Sequence, residues 1–246
     1  MREVRLLCIH KFTIIIIILF IFCPELNSCY SDRIYQEIAI KSLSLMPKAL
    51  RNVLKLHMDE LLAGAAESAS LKNSEDHFLF NDNSYGKANL RIKQISDKIV
   101  YDVYHHVSFN VIAREFGYVA HYITDLNNPL HISKGDNISK QCEIEFNKFM
   151  VNNLEKFPFV FYGYSSKHLE NNDIQAFTNS IMQRSIILRD RLMEKMYIDG
   201  KVVSAIRFDE KSAVFGVAAI SYQHSISNTV QLWFHIWKNA HGDTLL

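Results

Sequence analysis

The sequence contains few of the residues that interrupt helices and build tight turns. Of its 246 residues, 8 are glycine and 4 are proline. A fold made only of β-strands needs frequent turns rich in these residues, so their scarcity favours long helices over a sandwich or barrel. The chain also has no excess of one charge, with 27 lysines and arginines against 26 acids. This balance argues against a nucleic-acid-binding surface, which is normally basic.

Cysteine is scarce as well, and two of the four cysteines lie at the extreme N-terminus. The other two are Cys29 and Cys142, too few for a disulfide framework. Two alternatives remain open. Lipidation of Cys29 would leave Cys142 alone, whereas an oxidising compartment would allow a bridge between the two.

The first residues have the pattern of an export signal. Arg2, Arg5 and Lys11 precede an apolar run over residues 12–23. That run is shorter than the roughly 20 residues that span a bilayer, and a basic segment before a short apolar segment is typical of a signal peptide. An uncleaved signal anchor is the alternative interpretation.

The residues that follow resemble a bacterial lipobox, Leu-Asn-Ser-Cys over 26–29. We therefore predict that residues 1–28 are a lipoprotein signal peptide and that residues 29–246 form one domain. Cys29 would carry the lipid, so that the protein is exported to the periplasm or cell envelope and attached to the membrane surface.

Apolar residues recur at helical spacing through most of the remaining chain. Residues 65–86 are small and polar without a sustained period and are predicted to be a long loop, which is uncommon unless functional. No convincing pair of strands is apparent, so the fold class is all-α, a single multi-helix domain. The expected helices cover residues 31–45, 50–62, 87–104, 108–125, 138–155, 174–197 and 208–238.

One segment, residues 117–131, carries side chains suited to metal chemistry. His121 and Asp125 are four residues apart and share one face of a helix, where both can bind one Zn²⁺. His131 follows the turn at Pro129 and can fold back toward them. Spacing alone leaves other readings open, since a His–Asp pair can be a surface pair and a lone histidine can belong to the core.

The same segment resembles the G-x-x-x-H-Y-x-x-D-x-x-x-P-L-H pattern of the zinc-dependent phospholipase C and single-strand nuclease superfamily. The tripeptide from Asp76 to Phe78 resembles a further element of that family. The resemblance implies an all-α domain that binds three zinc ions and hydrolyses phosphate esters. It also implies that His77, His121 and Asp125 hold one zinc ion, whereas His131 and Glu145 hold a second.

The sequence departs from this family at several ligand positions. Tyr35 and Gln141 stand where the family has histidines, so both are doubtful as ligands. Ala69 stands where the family has an aspartate, although Glu67, two residues away, could take that catalytic role. The N-terminal tryptophan of the family has no counterpart unless Tyr30 replaces it. One or two zinc ions are therefore expected rather than three.

These observations predict a zinc-dependent phosphodiester hydrolase, similar to phospholipase C, that acts on a phospholipid or another phosphate ester. Two alternatives are a degenerate, non-catalytic family member that binds lipid or a protein partner, and a helical lipoprotein without metal. The near-neutral charge argues against single-strand nuclease activity. The sequence does not indicate an oligomeric state.

Overall fold

Three helices of unequal length begin the part of the chain that the structure describes. The computed structural model describes residues 31–67, 80–81, 84–85, 87–131 and 137–245. Helix α1 covers Asp32–Ser44, α2 covers Lys48–Leu56 and α3 covers Met58–Glu67. The stripe predicted over 50–62 is thus divided at His57, and α3 continues into the region expected to be loop. The export segment and Cys29 lie outside the described residues.

Six further helices follow in the described part of the chain; five are the long helices that the periodicity predicts, and the four-residue helix over Lys167–Glu170 was not predicted. They are α4, Ala88–Tyr104; α5, Phe109–Asn127; α6, Asn137–Asn153; α7, Lys167–Glu170; α8, Ile174–Met196; and α9, Ala213–Asn239. The last two begin with a side-chain cap, because Asp173 accepts a hydrogen bond from the Ala176 N–H and Ser212 accepts one from the Phe215 N–H. The all-α fold class is therefore confirmed.

Short elements connect these helices. Two antiparallel pairs of two-residue strands are present, β1 (Phe80–Asn81) with β2 (Ser84–Tyr85) and β3 (Tyr197–Ile198) with β4 (Lys201–Val202). Asp199 and Gly200 form the turn of the second pair, both with positive φ. Single 3₁₀ turns cover Leu154–Lys156 and Ala205–Arg207.

Helix α5 lies at the centre of the domain and is buried from Ile112 onward along most of its surface. It contacts α1, α3, α4, α8 and α9, of which α9 is also largely buried. The indole N–H of Trp233 donates to the Phe116 carbonyl oxygen at 3.1 Å, and the two rings meet edge to face. Because so many helices converge on α5, polar side chains on it are held in a rigid, water-excluded setting.

The crossing of α3 and α5 depends on two glycines. A Cβ atom on Gly117 would lie 2.3 Å from the Leu61 carbonyl oxygen, and one on Gly64 would lie 2.1 Å from the Arg114 carbonyl oxygen. Neither neighbour is a flexible side chain, so the helices would have to separate. The two glycines therefore allow the backbones to touch directly.

A charged cluster joins α4 to the first half of α5. The Lys98 ammonium donates to the carboxylates of both Asp102 and Glu115, which are buried. Burial raises the pKa of Glu115, and the hydrogen bond from Lys98 opposes that shift. The cluster therefore balances two buried acids against one cation at the helix interface.

No helix in the described part of the chain is both long and apolar enough to cross a membrane. Cys142 is buried in α6, with its thiol 3.9 Å from the Met196 carbonyl oxygen. Because Cys29 lies outside the described residues, lipidation and a disulfide both stay predictions.

Candidate metal centre

The second half of α5 presents the predicted His–Asp pair to the interior. His121 and Asp125 are buried, and the imidazole Nε2 lies 3.1 Å from the Asp125 Oδ2. The other ring nitrogen, Nδ1, lies 2.8 Å from the carbonyl oxygen of Ala65 on α3. Since a carbonyl only accepts, Nδ1–H is the donor in that bond. The close α3–α5 crossing thus fixes the ring with Nε2 facing the carboxylate.

Tyr35 on α1 completes this arrangement from a third helix. Its hydroxyl donates to the Asp125 Oδ1 at 2.6 Å. Its ring stacks on the His121 imidazole with centroids 4.0 Å apart and planes inclined by 8°. Tyr35, doubtful as a metal ligand from sequence, is therefore a direct hydrogen-bond partner of Asp125.

His131 lies beside the same carboxylate, as the turn at Pro129 predicts. The turn is closed by Asn128, whose side-chain oxygen accepts from the Leu130 N–H and whose backbone carbonyl accepts from the His131 N–H. The His131 Nε2 lies 3.9 Å from the Asp125 Oδ2, which is too long for a direct hydrogen bond. The structure therefore brings His121, Asp125 and His131 into one buried cluster.

The acid next to His131 is Glu143 rather than Glu145. The His131 Nδ1 lies 2.9 Å from the Glu143 Oε1 on α6. The Glu145 carboxylate instead accepts from the Ala205 N–H at 2.7 Å and from Lys148 and Ser204. Burial disfavours the ionised form of Glu145, but these hydrogen bonds outweigh it and lower its pKa. Glu145 thus holds the 3₁₀ turn that begins at Ala205 against α6. The predicted pairing of Glu145 with His131 is not formed.

The register of α6 explains this difference. Cys142 and Phe146 belong to its buried stripe, and Glu143 lies on the shoulder that faces His131. Gln141 lies on the other shoulder with Glu145 and is exposed. The structure therefore does not bring Gln141 to the cluster either. The apolar stripe in the sequence places Glu143 on one side of α6 and Gln141 with Glu145 on the other, but it does not show which side faces His131.

Three positions singled out in the sequence have no described side chain: Glu67, Ala69 and His77. His77 lies outside the described residues, as does Ala69. Glu67 is the last residue of α3, two positions after Ala65, but only its backbone is described. Their proposed roles stay predictions.

The geometry of the His121–Asp125 pair suits a zinc ion. Because His121 Nδ1 is bonded to the Ala65 carbonyl oxygen, Nε2 is the ring nitrogen that faces the Asp125 carboxylate, and the space between them suits a proton or a metal ion. Zinc-ligating histidines commonly donate their other N–H to a backbone carbonyl, as His121 does.

The described residues supply only part of a complete ligand set. Across residues 31–67, 80–81, 84–85, 87–131 and 137–245, no three His, Cys, Asp or Glu side chains form a group that could hold a metal ion. A further protein ligand would have to come from outside these residues, and the predicted ligand His77 is such a residue.

Two solved structures of clostridial alpha-toxins are similar to this chain in fold. The alpha-toxin of an avian strain of Clostridium perfringens aligns with a TM-score of 0.62 and 17% identity, covering 84% of this chain and 63% of the toxin chain. The alpha toxin of Clostridium absonum aligns with a TM-score of 0.65 and 12% identity, covering 84% and 64%. The chain therefore shares an all-α fold with the part of these two alpha-toxins that it covers.

This likeness is one of fold. The chain spans less than two thirds of the length of either toxin chain. No protein-family model matches the sequence, and no curated protein matches it either. The structural likeness agrees with the resemblance found in residues 117–131, while the ligands and the reaction stay proposals.

Proposed function

We propose that this chain is an exported phosphodiester hydrolase, similar to phospholipase C, that works with one zinc ion at His121 and Asp125. The observation that supports this most strongly is the orientation of His121, whose Nδ1 is fixed by Ala65 and whose Nε2 faces the Asp125 Oδ2. His77 is the proposed third ligand. Zinc bound there would supply Lewis-acid chemistry toward a phosphoryl oxygen.

The chain's own residues would perform the remaining tasks. Asp125 and His121 offer one carboxylate oxygen and one imidazole nitrogen to the ion, and Tyr35 fixes the other carboxylate oxygen. Glu67, at the end of α3, is the proposed acid–base residue because α3 ends beside the cluster. His131, bonded to Glu143, borders the same cluster. We propose no second zinc ion at His131, because Glu145 does not lie there.

Phospholipid is the proposed substrate class. It follows from the fold shared with the alpha-toxins and from the predicted attachment at Cys29, which would hold the domain beside a membrane. The near-neutral charge does not suit a polyanionic substrate.

Turnover of a chromogenic phosphocholine ester tests this proposal. The purified protein is stripped with a chelator and reloaded with one equivalent of zinc, with Asp125→Asn as the matched control. We expect slow hydrolysis that requires zinc and disappears in the control. Hydrolysis that is insensitive to zinc, or equal in both proteins, would contradict the proposal.

A non-catalytic role is the second candidate, and two specific contacts favour it. Tyr35 binds Asp125, and Glu143 binds His131, at positions where the family resemblance implies metal ligands. Such a protein would bind lipid head groups or a protein partner. This role would be supported if the parent protein binds no zinc and does not hydrolyse the ester, but sediments with phospholipid vesicles.

Export is tested separately. If Cys29 is lipidated, its acyl chains hold the protein stably on the membrane. Cys29→Ala removes these chains and should move the protein from the membrane fraction to the soluble fraction. A variant that stays in the membrane fraction would instead support an uncleaved anchor at residues 12–23.

A further inference from the structure

Tyr35 makes two different contacts with the candidate metal centre. It reaches the centre from α1, while both of its partners lie on α5. The hydroxyl binds Asp125 and the ring lies flat on His121. Tyr35 is itself buried, so both contacts are shielded from water. One side chain therefore contacts both groups of the pair at once.

These contacts restrict the motions that would spoil the pair. The hydroxyl donates to the Asp125 Oδ1, which fixes the carboxylate with Oδ2 toward His121. The stacked ring limits rotation of the imidazole about its own axis, and the bond to Ala65 fixes its tilt. Binding sites lose affinity when their ligands must be ordered at the moment of binding, so this restriction favours a metal ion.

We propose that Tyr35 is a positioning residue that preforms His121 and Asp125 as a two-ligand pair for zinc. The inference rests on the proposed function, because it presupposes that the pair binds zinc. It assigns to Tyr35 a task distinct from ligation, in which the phenol contacts both ligands.

The experiment is a zinc competition titration against a chromophoric chelator with the full-length protein. Tyr35→Phe removes the hydroxyl and keeps the ring. The matched control is Tyr164→Phe, because the Tyr164 hydroxyl also donates at 2.6 Å, to the Leu45 carbonyl oxygen. Outer-shell partners of metal ligands typically contribute about 10–100-fold to metal affinity. We expect a loss in this range for Tyr35→Phe and parent affinity for Tyr164→Phe.

Further readouts separate positioning from general stability. Thermal melting of the metal-free proteins measures the structural loss of each hydroxyl, which we expect to be similar in the two variants. Tyr35→Leu, which also removes the stacked ring, should weaken zinc binding more than Tyr35→Phe. If Tyr35→Phe melts too early to titrate, the parent and both phenylalanine variants are titrated at a temperature below its melting transition, where Tyr35→Phe should show the same loss.

The outcomes distinguish the two proposals. A parent protein that binds zinc, with Tyr35→Phe at parent affinity, overturns the positioning role and leaves the proposed function standing. Equal losses of affinity in Tyr35→Phe and Tyr164→Phe also overturn it. A parent protein that binds no zinc overturns the proposed function and the inference together.

Discussion

Helix α5 carries two buried acids, Glu115 and Asp125, ten residues apart and in very different surroundings. Glu115 shares the ammonium of Lys98 with Asp102, which joins α4 to α5. Asp125 instead accepts from the Tyr35 phenol and faces the imidazoles of His121 and His131. The two clusters lie about 15 Å apart along the helix axis, given the rise of each residue.

The residue types around each acid determine what it can do. An ammonium is a strong hydrogen-bond donor that binds no metal, so the Glu115 cluster is suited to holding helices together. Imidazole nitrogens offer lone pairs as well as protons, so the Asp125 cluster is suited to a metal ion or a proton. The comparison predicts that changes at Glu115 affect stability alone, whereas changes at Asp125 affect zinc binding too.

The largest effect is expected at Asp125. Asp125→Ala removes the acceptor of the Tyr35 hydroxyl and the partner of His121 in a buried setting, so we expect a loss of about 3 kcal/mol in unfolding free energy. Asp125→Asn keeps an acceptor for Tyr35 and gives His121 a donor, so it should lose less than about 1 kcal/mol. Both should abolish stoichiometric zinc binding, because an amide is a poor zinc ligand. Urea denaturation measures the loss of stability, and zinc titration measures the loss of binding. Zinc binding by Asp125→Asn would contradict the assignment of zinc to the Asp125 cluster.

Lys98→Met should have the next largest effect and leave zinc binding unchanged. It leaves two buried acids without their cation, and we expect a loss of about 2 kcal/mol at pH 8, reduced because the ammonium is half exposed. Burial already raises the pKa of Glu115, and loss of Lys98 should raise it further. A raised pKa penalises the ionised acid, so the penalty grows as pH rises through the folded-state pKa.

Denaturation at several pH values checks this sign. The difference in stability between parent and Lys98→Met should be larger at pH 8 than at pH 4. Lys93→Met is the control, since Lys93 makes an exposed pair with Asp97. A difference that is constant with pH, or a change in zinc affinity, would contradict the assignment.

Two glutamates on α6 sharpen the comparison further. Glu145→Ala removes the acceptor of the Ala205 N–H and should cost about 1 kcal/mol without changing zinc affinity. The pKa of Glu145 is lowered in the folded protein, so the stability that Glu145 contributes should be present above the ordinary pKa of a glutamate and lost as pH falls through the lowered pKa.

Glu143→Ala releases His131 and should weaken zinc binding about tenfold if His131 borders the metal. The same zinc titration compares both; a reversed order would return Glu145 to the candidate centre.

The smallest effect is expected for Gln141→His. Because Gln141 is exposed on the other shoulder of α6, the new imidazole should leave the zinc content unchanged and alter stability by less than about 0.5 kcal/mol. Elemental analysis measures the zinc content. One additional equivalent of zinc would show that this shoulder of α6 can reach His131.

Periodicity predicted the long helices because each carries its own apolar stripe, and the i,i+4 spacing predicted that His121 and Asp125 face one another. The partner of His131 could not be read from spacing alone. Both shoulders of α6 carry an acid, and which shoulder faces His131 depends on where the turn at Ala205 packs. The contact of Tyr35 with Asp125 joins residues 90 positions apart, and only the packing of α1 on α5 creates it.

The orientation of His121 depends on the main chain at Gly64 and Gly117, because these glycines let α3 approach α5 closely enough for the Ala65 carbonyl to contact the imidazole. A methyl group at either position would push α3 away from α5 and carry the Ala65 carbonyl away from the imidazole. In a library of random variants, substitutions at these two positions would therefore be found among variants with a damaged site, although neither glycine has a side chain that could bind a metal ion. Because the obstruction lies between two main chains, no side-chain replacement elsewhere can relieve it. Suppressor screens should accordingly return true revertants at these codons rather than second-site changes.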